Sequence, residues 1–184
     1  MIKIRNARLD DAKRLLEIYN HYVKNTAISF EYETPSIDEF KARMERIMKF
    51  YPYFVAIDGE RIIGYAYAAP FIERAAYDWS CELTIYLDKD ETKRGAGKML
   101  YGEIEAALIK IGITNMYACI GYPEVEDEYL TKNSADFHTH MGFSLAGTFK
   151  KCGRKFGRWY DMIYMEKIIS EHSDEKEHAT PYIS

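Results

Sequence analysis

One stretch constrains this chain more than any other. Residues 79–94 read as a strand running into a polar loop, and Gly95-Ala96-Gly97 then open a helix. Leu83, Ile85 and Leu87 alternate with Glu82, Thr84 and Tyr86, the period of a half-buried strand. Over residues 98–109, Met99, Leu100, Ile104, Ala107 and Leu108 fall on one helical face, and Gly112 stands where a C-cap belongs. A helix N-terminus carries unpaired N–H groups and partial positive charge, and glycines let an anion approach its backbone closely. The junction therefore reads as an anion-binding turn, with Lys93, Arg94 and Lys98 adding charge around it. Taken alone, Gly-x-Gly equally describes a tight strand-to-helix turn with solvated lysines. Two rival phosphate motifs are excluded. There is no GxxxxGK[ST], and Leu100 stands where the dinucleotide fingerprint needs its third glycine.

The rest of the chain supplies a sheet around that junction. Residues 2–5 alternate as a strand, and Asp10 or Asp11 caps a helix with Ala12, Leu15, Leu16, Ile18, Tyr19 and Tyr22 at helical spacing. Ser36 with Glu39 forms a capping box that opens a second helix to about Met48. Two apolar runs, 53–57 and 61–68, flank Asp58-Gly59 as a hairpin. Residues 115–120 read as a buried strand, 121–132 as an acid-rich loop, and 134–142 as a short helix. Residues 143–149 and 159–165 read as two antiparallel strands, with Gly153 and Gly157 in their connection. This order predicts an α+β fold, a mixed central sheet flanked by helices, in one domain over 1–169. The polar residues 170–184 are expected to form a loose tail.

Composition excludes several classes. The net charge is -4, and four acids against one lysine lie in the tail, so the body lacks the basic footprint of a nucleic-acid binder. No apolar stretch approaches the ~20 residues needed to span a bilayer. The N-terminus carries no apolar leader, so a cytoplasmic protein without membrane association is expected. Cys81, Cys119 and Cys152 are far apart with no CxxC spacing, so no metal and no disulfide framework are expected. Each cysteine reads as a small buried apolar residue. The 16 tyrosines fit a cleft-bearing or self-associating protein, or equally a tyrosine-rich core.

The whole pattern resembles the GNAT acetyltransferase superfamily, whose Q/R-x-x-G-x-G/A signature follows a strand and opens a helix. Here it is Thr92-Lys93-Arg94-Gly95-Ala96-Gly97, with Thr92 departing from the usual Gln or Arg. Within that superfamily the chain looks like the phosphinothricin acetyltransferase group from about Ile4 to Met165. The shared pieces are Tyr19-Asn20-His21-Tyr22-Val23, the Asp58-Gly59 hairpin, Arg74-Ala75-Ala76-Tyr77-Asp78-Trp79, Glu82, and Trp159-x-Asp161.

The resemblance implies the GNAT fold and acetyl-CoA as co-substrate, with no metal. It implies Glu82 as general base and His138 as acid for the CoA thiolate or a hydrogen-bond partner of the cofactor. CoA would lie along the backbone of Ile85, Tyr86 and Leu87, on the turn formed by Lys93, Arg94, Gly95, Ala96, Gly97 and Lys98, and near Asn133 and Ser134. Arg74, Tyr77 and Phe30 would line the amine site, with Arg74 gripping a carboxylate in two parallel hydrogen bonds. His140, on another helical face, is expected to be a bystander. The implied acceptor is a small amino acid of the phosphinothricin, methionine sulfoximine or sulfone type, and a homodimer is expected. Two alternatives stay open: acetylation of peptide N-termini or polyamines, for which the acidic loop would serve as a groove, and a non-catalytic acyl-CoA-binding module.

Overall fold

A computed structural model describes residues 1–91, 94–174 and 177–183. The elements run β1 (Ile2–Asn6), α1 (Ala12–Asn25), α2 (Ile37–Met48), β2 (Tyr53–Asp58), β3 (Arg61–Pro70), β4 (Ser80–Leu87), α3 (Ala96–Lys110), β5 (Asn115–Tyr122), α4 (Asn133–His140), β6 (Ser144–Lys155) and β7 (Arg158–Ile168). The strands form one sheet in the order β1-β2-β3-β4-β5-β7-β6. Neighbours are antiparallel except β4 and β5, which run parallel. This is the mixed-sheet α+β architecture read from the sequence.

Local chemistry explains most element ends. Ser36 Oγ accepts from the Glu39 amide at 3.1 Å, but the Glu39 carboxylate turns to Arg43 at 2.5 Å, so only half of the expected capping box forms. Asp11 precedes α1 without capping it. Its carboxylate is taken by the Arg5 guanidinium at 2.7 and 2.8 Å and by the Arg8 amide at 2.8 Å. The end of α3 is a Schellman motif. Gly112 takes φ 93°, and the Ile113 amide donates to Leu108 at 3.0 Å.

The last hairpin is tighter than expected. Phe156 and Gly157 alone make the turn, both with positive φ (50° and 78°). Gly153 lies within β6 opposite Tyr160 rather than in the connection. β6 can run this far because Asp161 holds the irregular stretch before Gly153, accepting from Lys150 Nζ at 2.7 Å and the Lys151 amide at 2.8 Å.

The tyrosines build core. Tyr53 stacks on Tyr67 (4.7 Å) and Tyr65 (5.9 Å), and Tyr86 meets Tyr65, Tyr19 and Tyr22 at 5.6, 5.0 and 4.9 Å. Such ring pairs add about 0.5–1.5 kcal/mol each beyond the area they bury. They fasten α1 to β2, β3 and β4.

One expectation is corrected. Cys81 is buried, but Cys119 and Cys152 are exposed, one on β5 beyond its pairing with β4 and the other in the irregular part of β6. Part of the tail, 177–183, makes contacts with the domain. Trp79 Nε1 donates to the Glu177 carbonyl at 2.8 Å, and the Thr180 and Tyr182 amides donate to Ile111 (2.9 Å) and Phe50 (2.8 Å). The Tyr182 ring meets Phe54 edge-on at 5.9 Å, so an aromatic side chain anchors a segment whose composition looked solvated. Among the described residues no helix is long and apolar enough to cross a membrane.

Candidate active site

The site begins where the parallel pair comes apart. β4 and β5 are in register only at Ser80–Asn115, Cys81–Met116 and Glu82–Tyr117. Beyond Glu82 they diverge, and the β4 edge from Leu83 onward has no strand partner on that side. The wedge between them is a cleft of about 230 Å³ lined by Glu82, Ile85 and Tyr86 from β4 and by Ala118 to Gly121 from β5. Tyr101 of α3, Ser134 and His138 of α4 and Phe30 close it. Unpaired strand backbone beside an open cleft suits a ligand with amide groups.

Gly95 and Gly97 stand at the start of α3. Gly95 has φ +84°, a conformation L side chains rarely adopt, and its carbonyl takes the Met99 amide at 3.1 Å. A Cβ on Gly97 would lie 3.2 Å from the Phe137 ring and 3.5 Å from Ile85. Glycine thus lets the helix start press against the end of β4, with the first-turn amides free of helical partners. Thr92 and Lys93 lie outside the described residues.

Glu82 is half-buried, and burial raises its carboxyl above the usual carboxylate range, opposed in part by the Tyr164 hydroxyl that donates to Oε2 at 3.1 Å. A carboxylate displaced upward is a better base near neutral pH than an exposed one. His138 is 3% exposed. Its Nδ1 lies 2.7 Å from the Ser134 carbonyl, which can only accept, so Nδ1 carries a proton. Nε2 lies 2.8 Å from the Tyr101 hydroxyl and, in the neutral ring, accepts from it. Burial lowers the His138 pKa, so the neutral form is favoured.

A second cavity, of about 730 Å³, opens on the other side of Glu82. Arg43, Arg46, Arg74, Asp78, Tyr51 and Tyr67 are among its walls. Arg43 is already paired with Glu31 (2.6 Å) and Glu39 (2.5 Å). Arg46 and Arg74 make no ion pair among the described residues. Glu82 and Thr84 line both cavities.

Residues 4–164 match the acetyltransferase (GNAT) domain family. The chain belongs to the GNAT acetyltransferase family. It is an acetyl-CoA-dependent N-acetyltransferase. It is 34% identical over 172 residues to a phosphinothricin N-acetyltransferase of Streptomyces coelicolor, covering 91% of this chain and 96% of that one. To the L-methionine sulfoximine/L-methionine sulfone acetyltransferase of Salmonella typhimurium it is 28% identical, covering 92% and 96%. A phosphinothricin acetyltransferase from Sinorhizobium meliloti, solved in complex with AcCoA, superposes with a TM-score of 0.86 at 32% identity, covering 100% of this chain and 99% of that one.

The fold of this acetyltransferase brings Glu82, Ile85, Tyr86, Ser134, His138 and Phe30 to one cleft, and Arg74 to the cavity beside it. Phe30 packs near Gly153 and Tyr160 on the cleft side, away from the Arg74 cavity. Tyr77 lies outside both linings, its ring edge-on to Phe71 at 6.0 Å. Asn133 is exposed at the start of α4 and does not line the cleft. Leu87 ends β4 with its carbonyl taken by the Tyr22 hydroxyl at 2.5 Å. Arg94 is turned to Glu91 and to Asp58, the latter at 2.6 Å. Lys98 and Ala96 hold the first turn of α3, Lys98 exposed and Ala96 buried. His140 is exposed, apart from His138. Sequence reasoning missed Tyr101, Tyr164 and Arg46. Tyr164 and Arg46 come from elements far from β4 in sequence, and only the Tyr abundance hinted at the two tyrosines.

Proposed function

We propose that the acetyltransferase acetylates the amine of a small amino acid whose carboxylate is held by Arg74. The observation that carries this is Glu82 standing at the wall shared by the two cavities, with the cleft for the cofactor on one side and, on the other, Arg46 and Arg74, which make no ion pair among the described residues. The relatives named for phosphinothricin and for methionine sulfoximine and sulfone act on amino acids of this kind. Such acceptors carry a second oxygen-rich group, for which Arg46 is placed in the same cavity.

Acetyl-CoA supplies the thioester. The unpartnered β4 edge fits its pantetheine, and the Gly95-Gly97 helix start fits its pyrophosphate. Glu82 takes a proton from the acceptor ammonium and, once that proton has passed to solvent, takes the second as the free amine forms the C–N bond and the C–S bond breaks. The departing thiolate takes its proton from the Tyr101 hydroxyl, which turns from His138 Nε2 to the sulfur and is reprotonated through solvent, so the neutral His138 that burial favours acts as its hydrogen-bond partner.

The polyamine reading loses its support in the acidic loop. Asp127 accepts from the Tyr129 and Leu130 amides (2.8 and 2.9 Å) and from Tyr160 (2.8 Å), while Glu128 pairs with Arg158 at 2.7 and 2.9 Å. Those acids hold the loop to β7. A non-catalytic module would have no use for a half-buried Glu82.

Thiol release from acetyl-CoA tests the assignment against amino-acid analogues, polyamines and short peptides. Turnover is expected with the analogues, and Arg74→Gln should raise the acceptor KM about tenfold or more with acetyl-CoA KM unchanged, as expected for loss of a charge-assisted contact. Faster turnover of polyamines, or an indifferent Arg74→Gln, would sink it. A homodimer completes the reading. It is supported by Leu145, Phe149 and Trp159, each at least half exposed on the edge hairpin. Sedimentation at micromolar concentration should give twice the 21.5 kDa chain mass, and a 21.5 kDa species would refute it.

A further inference from the structure

The family match ends at residue 164, yet the chain beyond it returns to the acceptor cavity. Ala179 is one of that cavity's lining residues, beside Asp78, Phe50 and Tyr51. Contacts on both sides hold Ala179 there. Before it, Trp79 Nε1 donates to the Glu177 carbonyl at 2.8 Å, and the His178 ring stacks on Trp79 at 4.8 Å with Nδ1 3.2 Å from Asp78 Oδ2. After it, the Thr180 amide donates to Ile111 at 2.9 Å and the Tyr182 amide to Phe50 at 2.8 Å. Gly112 lies against Ala179, where a Cβ would make only ordinary contact with its Cα at 3.5 Å, so the φ of +93° and not the space calls for glycine there.

We propose that residues 177–182 are a wall of the acceptor cavity and help to set the length of acceptor it admits. This rests on the acceptor assignment above. The segment is tied to residues that themselves line the cavity, Asp78 and Phe50, so its position and the cavity's shape are fixed together. Of this segment, Ala179 is the residue in the cavity lining, and its side chain is small. A larger residue would reach into the space an acceptor occupies, and removing the segment would open it.

The test uses a series of amino-acid acceptors of increasing side-chain length and two variants. One is the chain ended at residue 176, and the other is Ala179→Trp. Ending the chain should raise the kcat/KM ratio of long over short acceptors about tenfold, the effect of a methylene-sized change in a pocket, with acetyl-CoA KM unchanged. Ala179→Trp should move the ratio the other way. Unchanged ratios in both, with each variant shown folded by near-ultraviolet circular dichroism, overturn the proposal. If the wild-type chain turned over no member of the series, the acceptor assignment would fall instead. Where the series is turned over, hydrogen exchange at the Thr180 and Tyr182 amides is expected to slow on adding methionine sulfone. Equal exchange with and without it would equally overturn the proposal.

Discussion

In the proposed reaction Glu82 is the base, and its environment makes opposite demands on catalysis and stability. Burial lifts its pKa, so the folded protein holds that proton more tightly than the unfolded chain does. Its ionised form is therefore tolerated at a cost to stability above the raised pKa, a cost that disappears as pH falls below it. Glu82→Gln should lower kcat about 10²–10⁴-fold while leaving acetyl-CoA binding intact. The same variant should melt higher than wild type at pH 7–8, with the gain shrinking in acid. In the wild type, kcat/KM should fall with acid through a pKa above the ordinary ~4.3 of glutamate. A Glu82→Gln enzyme of near-native rate, or a melting gain independent of pH, would remove the carboxylate from its assigned role. Alternation alone gave Glu82 no distinction from any other residue on its strand. What marked it was resemblance, because the surroundings that set it apart include a Tyr164 hydroxyl bond from 82 positions away.

Among the elements, those written in local chemistry were legible. α2 begins at Ser36, the β2–β3 hairpin turns at Gly59, and α3 ends at Gly112, each where a cap or a positive φ demands it. The misjudged features depend on partners distant in sequence. Asp11 looks like a cap until Arg5 claims it, and Gly153 looks like a turn residue until Asp161 is seen holding the strand before it. Arg94 is the functional counterpart. Its place in the Gly95-x-Gly97 junction points to phosphate, but Asp58 at the β2–β3 turn offers a carboxylate at 2.6 Å. That turn lies beside the junction only in the folded sheet.

At the scale of the molecule, the sheet is two blocks, β1 to β4 and β5 to β7 with β6 outermost, joined by three residue pairs of a parallel ladder. So short a seam makes a weak weld, and the wedge beside it is the space we assign to acetyl-CoA. The reagent is then also mortar. It spans the gap that the missing hydrogen bonds leave, and binding only the folded form at a hundredfold excess over Kd would add about 2.7 kcal/mol to stability. The β5 amides beyond Tyr117 that face the cleft rather than β7 should exchange fast in the free protein and slow sharply once acetyl-CoA is present, more than those of β2. Equal slowing everywhere would mean that the two blocks are already one. A protein built this way is expected to be firmest along that seam while it is charged for work.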